Sequence, residues 1–309
     1  MKHTNFSTFV LVIAISMLSG FSQSTKNLAE KLGYAKDAKL LIIHADDLGL
    51  SHSTNIATFK AFENKGITSG SIMVPCPWFT EVAEYAKANP GLDLGIHLTL
   101  TSEWKNYKWG GVASSNEIPG LLSKNGYMYP SNEEMGKTAK PEEVGKELRA
   151  QIEKAIALGI NPTHFDNHMG SLLVNPELII EYVKLAKEYK VPFLFPAAYS
   201  SMLPPDLSKL MGPDVVMVDN LFMLNPAIVS KNWGEPYKKA IEAMKPGLNE
   251  IIVHLSADND EMQAIAAGVI DFGSKWRQND FDYVTSNEFK QTLKENNIIL
   301  ITWKQIKEL

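Results

Sequence analysis

Short apolar runs alternate along this chain with longer segments in which apolar residues recur every three or four positions. Apolar runs of this length are typical of strands that are buried on both faces of a parallel sheet. They predict seven or eight strands, taken from Lys39–Ala45, Ser69–Val74, Leu92–Leu98, Thr163–Asp166, Phe193–Phe195, Val215–Val218, Glu250–His254 and Ile298–Thr302.

The segments between these runs have helical periodicity. In Ser51–Lys65, the apolar residues Ile56, Phe59 and Phe62 recur at a spacing of three, and Gly66 follows as a stop signal. The other predicted helices are Asn27–Gly33, Trp78–Asn89, Pro141–Leu158, Pro176–Tyr189, Pro236–Met244, Asp260–Ala267 and Glu288–Glu295. Strands that alternate with helices in this way favour an α/β fold with a parallel sheet or barrel.

Residues 101–139 interrupt this regularity with a long segment rich in Ser, Asn, Gly, Trp and Tyr. Irregular segments of this length commonly form the wall of a functional site. Its aromatic residues, among them Trp104 and Trp109, either stack on sugar rings or pack the segment onto the sheet. The sequence leaves both interpretations open.

The N-terminus has the features of a secretory signal peptide. A basic start at Lys2 precedes the apolar stretch Phe9–Leu18, and small residues follow at Gly20 and Ser22. We therefore predict a signal peptide over residues 1–24, one domain over residues 25–309, a secreted or periplasmic protein, and no stable membrane span after the signal is removed. The alternative is an uncleaved N-terminal anchor.

Composition limits the classes of partner and of metal site. The chain has 309 residues with 45% hydrophobic content and a formal net charge of −5, which disfavours nucleic acid and anionic membranes as partners. Cys76 is the only cysteine, so neither an internal disulfide nor a thiolate zinc cluster is available. Any metal must be held by His and carboxylate side chains. The oligomeric state stays open, with a homodimer as one option.

Ionisable residues follow several of the predicted strands. Asp46 and Asp47 follow the first strand, His97 ends the third, His168 lies just past the fourth, and His254 ends a later one. Because the carboxyl ends of parallel strands meet at one edge, we expect these groups to converge there. Two imidazoles and a carboxylate suit a divalent metal with open positions. The alternative for the aspartate pair is a helix N-cap.

The same motifs resemble a known family. They are Ile43–Ser51 (IHADDLGLS), Gly66–Ser69 (GITS), Gly95–Thr101 (GIHLTLT) and Pro162–His168 (PTHFDNH). In order and spacing they are similar to the YdjC-like carbohydrate deacetylases. The resemblance implies a distorted (β/α) barrel of seven or eight mostly parallel strands. It also implies a divalent metal, Mg or Zn before other ions, and removal of N-acetyl groups from sugars or oligosaccharides.

The resemblance assigns roles to individual residues. It implies Asp47, His97 and His168 as metal ligands, Asp46 as catalytic base and His254 as general acid. We further expect three residues to contact the substrate: Trp104, His164 and Asp166.

The chain also departs from the family pattern. His44 stands where the family usually has Asn, Leu255 follows His254 where Pro is common, and Met169 and Gly170 stand where further histidines are frequent. An arginine expected within Phe193–Phe195 is absent. We therefore expect the reaction type to be kept and the substrate contacts to differ.

Two other functions remain open at this point. One is a different metal-dependent hydrolysis, of a phosphoester or a lactone, although the chain has no Gly-rich phosphate loop and few arginines. The other is a secreted sugar-binding protein without catalytic activity.

Overall fold

The architecture is that of a computed structural model, which describes residues 26–212 and 215–309. The predicted signal peptide lies outside the described residues. Within them, no helix combines the length and the apolar character that a bilayer crossing would need.

Seven parallel strands form the sheet. They are β1 (Lys39–Leu48), β2 (Ser69–Ile72), β3 (Leu94–Leu98), β4 (Phe165–Asn167), β5 (Asn220–Met223), β6 (Gly247–His254) and β7 (Ile298–Leu300). Six of them lie in the order β4-β3-β2-β1-β6-β5, and β7 pairs with the first residues of β1.

Helices surround the sheet. They are α1 (Leu28–Lys31), α2 (His52–Glu63), α3 (Phe79–Ala88), α4 (Asn132–Gly136), α5 (Pro141–Ala157), α6 (Pro176–Tyr189), α7 (Pro205–Met211), α8 (Gly234–Glu242), α9 (Asp260–Ile265), α10 (Ser274–Val284), α11 (Asn287–Glu295) and α12 (Trp303–Lys307). The sequence pattern located most of the longer helices but not α10.

The sheet curls into a half-barrel whose two edges are connected by an irregular segment. Phe193 forms a single parallel bridge with β4, and Pro196 forms one with Val218 just before β5. The predicted strands Phe193–Phe195 and Val215–Val218 are thus reduced to isolated bridges, because Pro192 and Pro196 have no N–H to give to a ladder. The predicted distorted α/β barrel is confirmed, with a strand count at the low end of the prediction.

The centre of the barrel is β1, which is buried along nearly its whole length. Every second residue of β1 points into the barrel, as the period of two in a strand requires. These inward residues are first the apolar Leu40 and Ile42 and then the polar His44 and Asp46. Leu40 and Ile42 belong to an apolar cluster in the barrel interior that also includes Trp303 of α12. The polar end of β1 therefore lies at the carboxyl edge, on top of an apolar base.

The long segment 101–139 packs onto the barrel. Trp109 is 3% exposed and donates from Nε1 to the Thr101 carbonyl, while the Tyr107 hydroxyl donates to the Leu50 carbonyl. Of the two interpretations of these aromatic residues, the structure shows packing for Trp109 and Tyr107.

Candidate active site

The two adjacent aspartates reach the same point because β1 is irregular where they lie. The register between β1 and β2 gains one residue on β1 between Ala45 and Leu48, and Asp47 has a φ of +70°. A regular strand would send neighbouring side chains to opposite faces, whereas such a bulge re-aims one of them. The helix cap is provided instead by Ser51, which accepts from the Thr54 N–H. Asp46 and Asp47 are therefore not capping residues.

Asp47, His97 and His168 form a compact cluster. Asp47 Oδ1 lies 3.5 Å from His97 Nε2 and 3.3 Å from His168 Nδ1, and the two ring nitrogens are 3.2 Å apart. Two ligands that are each about 2.1 Å from a metal are separated by about 3.0 to 3.5 Å in tetrahedral or octahedral geometry. The spacing of the three atoms therefore fits one bound cation.

Asp47 Oδ1 supports this fit independently. It is buried and has no hydrogen-bond partner among the residues that the structure describes, although buried carboxylate oxygens are normally paired. A cation held with His97 and His168 would satisfy it. Two other groups of close metal-binding side chains exist in the described chain, Asp46 with His97 and Asp166, and His44 with His164 and Asp166. In the first of these the Asp166 oxygens are already bound by Ser71, His44 and His97, and in the second His44 and His164 are fully buried and do not line the cavity.

Each member of the cluster is held from behind by a further side chain. His97 Nδ1 lies 2.9 Å from Asp166 Oδ1, which the strand register places directly opposite it. His168 Nε2 lies 3.0 Å from Glu103 Oε2, and Asp47 Oδ2 accepts from Arg277 Nη2 at 2.7 Å. Such partners fix the orientation of metal-binding residues.

The carboxylates in and around the cluster favour positive charge at its centre. Burial opposes ionisation of Asp47, but the Arg277 guanidinium and His168 hold the pKa of its carboxyl well below the usual value. Burial acts to lower the pKa of His168, yet Glu103 and Asp47 raise it to about 10. The pKa of His97 is raised in the same way against burial, mainly by Asp166 and Asp46. A cation entering the site therefore has to displace protons.

Asp46 and His254 lie beside the cluster. The register between β1 and β6 places them opposite one another, and Asp46 Oδ2 is 3.9 Å from both His254 Nε2 and His97 Nε2. Burial, together with the Arg277 and His97 charges, lowers the pKa of His254 to about 4, so its imidazole is neutral at pH 7. Asp46 is thus positioned next to a histidine that is free to accept a proton.

His44 supports both Asp46 and Asp166 from within the barrel. Its Nε2 is 3.2 Å from Asp46 Oδ1 and 2.9 Å from Asp166 Oδ2. Burial opposes its protonation, but these carboxylates raise the pKa of His44 well above the usual value. Burial also raises the pKa of Glu250, which lies 3.6 Å from His44 Nδ1, to about 8. This position, where the resemblance implies Asn, therefore carries an imidazole that connects two carboxylates of the site.

The three residues that we expected to contact substrate are placed differently. Trp104 lines the cavity with its ring 5.7 Å from the Arg277 guanidinium carbon. Asp166 also borders the cavity but is only 3% exposed, and its oxygens are occupied by Ser71, His44 and His97. His164 is fully buried and stacks on Trp303. The structure therefore does not bring His164 to the cavity.

The sequence pattern missed two residues of the site, Glu103 and Arg277. Glu103 lies in the irregular segment, where no periodicity marks it. Arg277 lies on α10, whose buried face includes Arg277 and Asp280 besides apolar residues, so no apolar stripe marks this helix. An arginine does reach the site, but from α10 and not from Phe193–Phe195. Its hydrogen bond to Asp47 identifies it as part of the site.

The cluster borders a cavity of about 650 Å³ at the carboxyl edge of the sheet. Asp46, Asp47, His97, His168 and His254 all line it. A volume of this size accommodates a small-molecule substrate.

Comparisons with known proteins show which chains this one is similar to. A family model described as YdjC-like protein matches residues 40–295. The carbohydrate deacetylase of Thermus thermophilus is 30% identical over 290 residues, which cover 91% of this chain and 98% of that protein. The carbohydrate deacetylase of Brevibacillus brevis is 28% identical, covering 86% of this chain and 99% of its own.

A crystal structure shows the same fold. An Enterococcus faecalis protein, provisionally described as a cellobiose-phosphate cleavage protein, superposes with a TM-score of 0.74 at 24% identity. The match covers 87% of this chain and 99% of that one. Together with the family model over most of its length, these likenesses show that the chain belongs to the YdjC-like family.

Proposed function

We propose that this protein is a metal-dependent hydrolase that removes N-acetyl groups from amino sugars or their oligosaccharides. The observation that carries the proposal is the meeting of Asp47, His97 and His168 around one point at the edge of a cavity, with Asp46 beside them. The two carbohydrate deacetylases named above support the reaction and the sugar substrate.

Different residues of the site have different roles in amide hydrolysis. A divalent cation held by Asp47, His97 and His168 would polarise the acyl oxygen and lower the pKa of a water toward about 7. We propose zinc or magnesium, and the two imidazole donors favour zinc. Asp46 takes the proton of the attacking water on its carboxylate.

The leaving amine needs a proton before the C–N bond can break. His254 Nε2 lies 3.9 Å from Asp46 Oδ2, and we propose that the two groups approach to hydrogen-bond distance in the substrate complex, where His254 receives the proton from Asp46 and passes it to the amine. Because His254 begins the cycle neutral, the pair transfers one proton from water to amine and returns to its starting state.

The charge of the cavity argues against a phosphoester substrate. Asp46, Asp47, Glu103, Asp166 and Asp271 line it, whereas Arg277 is its single lysine or arginine within the described chain. That guanidinium is already paired with Asp47.

Acetate release from a panel of N-acetylated amino sugars and oligosaccharides tests the proposal. We expect release that stops on treatment with a chelator and returns when Zn²⁺ or Mg²⁺ is added back. Phosphate release, or metal binding with no release of acetate from any amino sugar, would contradict it.

The variant Asp46→Asn tests the role of the base. It should still bind the metal, because Asp46 is not in the ligand cluster, but its kcat should fall by roughly 10² to 10⁴. Asp271→Asn, which alters an exposed carboxylate of the same cavity, is the matched control. Full activity of Asp46→Asn would exclude Asp46 as the base.

We also propose that the protein works outside the cytoplasm, on the basis of the signal-peptide pattern in residues 1–24. N-terminal sequencing of the protein recovered from its native cell would test this. A start near residues 23–25 is expected, and an intact Met1 in the cytoplasmic fraction would contradict it.

A further inference from the structure

The mouth of the barrel has two unlike halves. One, here called the metal half, contains Asp46, Asp47, His97, His168 and their partners on β1, β3 and the end of β4. The other, here called the apolar half, consists of Leu194, Pro196, Leu221, Met223, Ile252 and Val269. Both halves line the same cavity, so a bound substrate contacts both.

Three of the six side chains of the apolar half are exposed, whereas Leu194, Pro196 and Ile252 are buried. Leu221 is 40%, Met223 39% and Val269 44% exposed, and the neighbouring Ile270 is 86% exposed. Parallel strands normally have both faces covered, yet on β5 two apolar side chains face the open cavity. Clusters of exposed apolar side chains at a cavity are characteristic of binding sites.

The chemistry of this wall does not suit a bare sugar. Sugar hydroxyls require hydrogen-bonding side chains, and the six residues of the apolar half offer none. Of the aromatic residues that could stack on a sugar, Trp109 is buried in packing and Trp104 is 4% exposed beside Arg277. Tyr199, three residues after Pro196, also lines the cavity and adds an exposed ring to this side. Hydrocarbon is the complementary surface for such a wall.

His254 determines which part of the substrate meets this wall. It ends β6, two residues after Ile252, and its ring centroid is 5.1 Å from that of Phe272, which also lines the cavity. In the proposed reaction His254 serves the leaving amine, while the acyl oxygen lies at the metal half. The amine-bearing part of the substrate therefore extends toward the apolar half.

We propose that the substrate is an N-acetylated amino sugar that carries an apolar aglycone, an alkyl or aryl group that packs against the apolar half. This inference rests on the proposed deacetylase function, because the orientation depends on the role of His254. It goes further in naming the substituent that distinguishes the preferred substrate from a free sugar or an oligosaccharide.

The test compares the methyl and hexyl β-glycosides of N-acetylglucosamine, together with N-acetylated chitobiose. Each buried methylene contributes roughly a fourfold gain, and because burial in an open cavity is partial, we expect kcat/KM for the hexyl glycoside to exceed that for the methyl glycoside at least tenfold. The gain should appear mainly in KM. Affinity measured by calorimetry on the metal-loaded Asp46→Asn variant should show the same ratio.

Two variants test whether the preference for the hexyl glycoside comes from the apolar half. Leu221→Ser and Met223→Ser alter exposed side chains, so the fold should be kept, and each should reduce the hexyl-to-methyl ratio of kcat/KM by at least threefold. Ile156→Ser is the matched control, because Ile156 is 44% exposed on α5 and lies away from the cavity. It should leave the ratio unchanged.

The outcomes separate this inference from the proposed function. No acetate from any substrate refutes the deacetylase, and the calorimetric ratio then still decides whether the wall binds hydrocarbon. Acetate release with a ratio near one, or with chitobiose preferred to the hexyl glycoside, overturns the inference and leaves the deacetylase standing. A dimer that Leu221→Ser dissociates, with no change in ratio, would assign the wall to a second copy of this chain.

Discussion

The metal half and the apolar half of the barrel mouth are built in opposite ways. In the metal half, polar side chains are almost fully buried and each is held by another: Asp166 holds His97, Glu103 holds His168 and Arg277 holds Asp47. In the apolar half, hydrocarbon side chains such as Leu221 and Met223 are exposed, and no hydrogen bond fixes them.

The difference separates two tasks. Chemistry depends on atoms that stay within a few tenths of an ångström of one another, and a buried, mutually bonded set of polar groups gives that precision. Selection of a substrate depends on surface that is free to be covered, which the exposed wall provides. The variants below are ways to disturb one half while the other is left as it is.

The largest expected effect comes from His97→Ala. It removes one of the three proposed ligands, and we expect activity to fall at least about 1,000-fold with loss of stoichiometric metal. Elemental analysis of the purified variant and acetate release measure the two losses. Retention of one metal per chain with normal activity would show that His97 is not a ligand.

The pH dependence of metal binding comes next. Because the pKa of His168 is raised to about 10, its ring holds a proton at neutral pH when no cation is present, and the raised pKa of His97 adds to the competition by protons. A cation has to displace them, so affinity should increase about tenfold for each pH unit and each proton displaced as the pH rises from 6 to 8. Titration calorimetry at several pH values measures this, and an affinity independent of pH would contradict it.

A smaller effect is expected from Glu103→Gln. The amide keeps the size of the side chain but removes the charge that orients His168, and metal affinity should fall roughly tenfold with kcat little changed once metal is saturating. Competition with a chelating dye gives the affinity. Glu133→Gln, on the exposed surface of α4, is the control, and an equal loss in both variants would exclude the specific role.

We expect the smallest effect when a variant in the apolar half is tested for its metal affinity. Leu221→Ser should change the metal dissociation constant by less than about twofold, because Leu221 lies on β5, which β6 separates from β1, and distant sites act independently. The same dye competition measures it. A tenfold change would show that the two halves are coupled.

Much of the site could be predicted from the sequence because its residues lie at the ends of apolar strands. Asp46, His97 and His254 are placed by the strand pattern and by the parallel register, and the structure brings them to one edge. His164 shows where this reasoning stops, because a histidine just before a strand can equally point into the interior, and this one stacks on Trp303.

Other features could not be predicted from the pattern of apolar and polar residues. The helix α10 carries Arg277 on a buried face that is partly charged, so no apolar stripe predicted this helix. The predicted strand at Phe193–Phe195 had the right composition, but the prolines on either side limit it to single bridges. In the first case the role of the arginine depends on its contact with Asp47, 230 residues away in the chain. In the second the apolar run predicted a strand without weighing the neighbouring prolines.

The sequence by itself determined the α/β class, the order of most elements and the set of ionisable residues at the strand ends, because these follow from periods of two and of three to four in apolar residues. Only the tertiary structure decided that Asp47 turns back beside Asp46, that Glu103 and Arg277 complete the cluster, and that β5 presents an exposed apolar wall. Those features depend on a one-residue bulge and on contacts between residues far apart in the chain, where pattern and propensity carry no information.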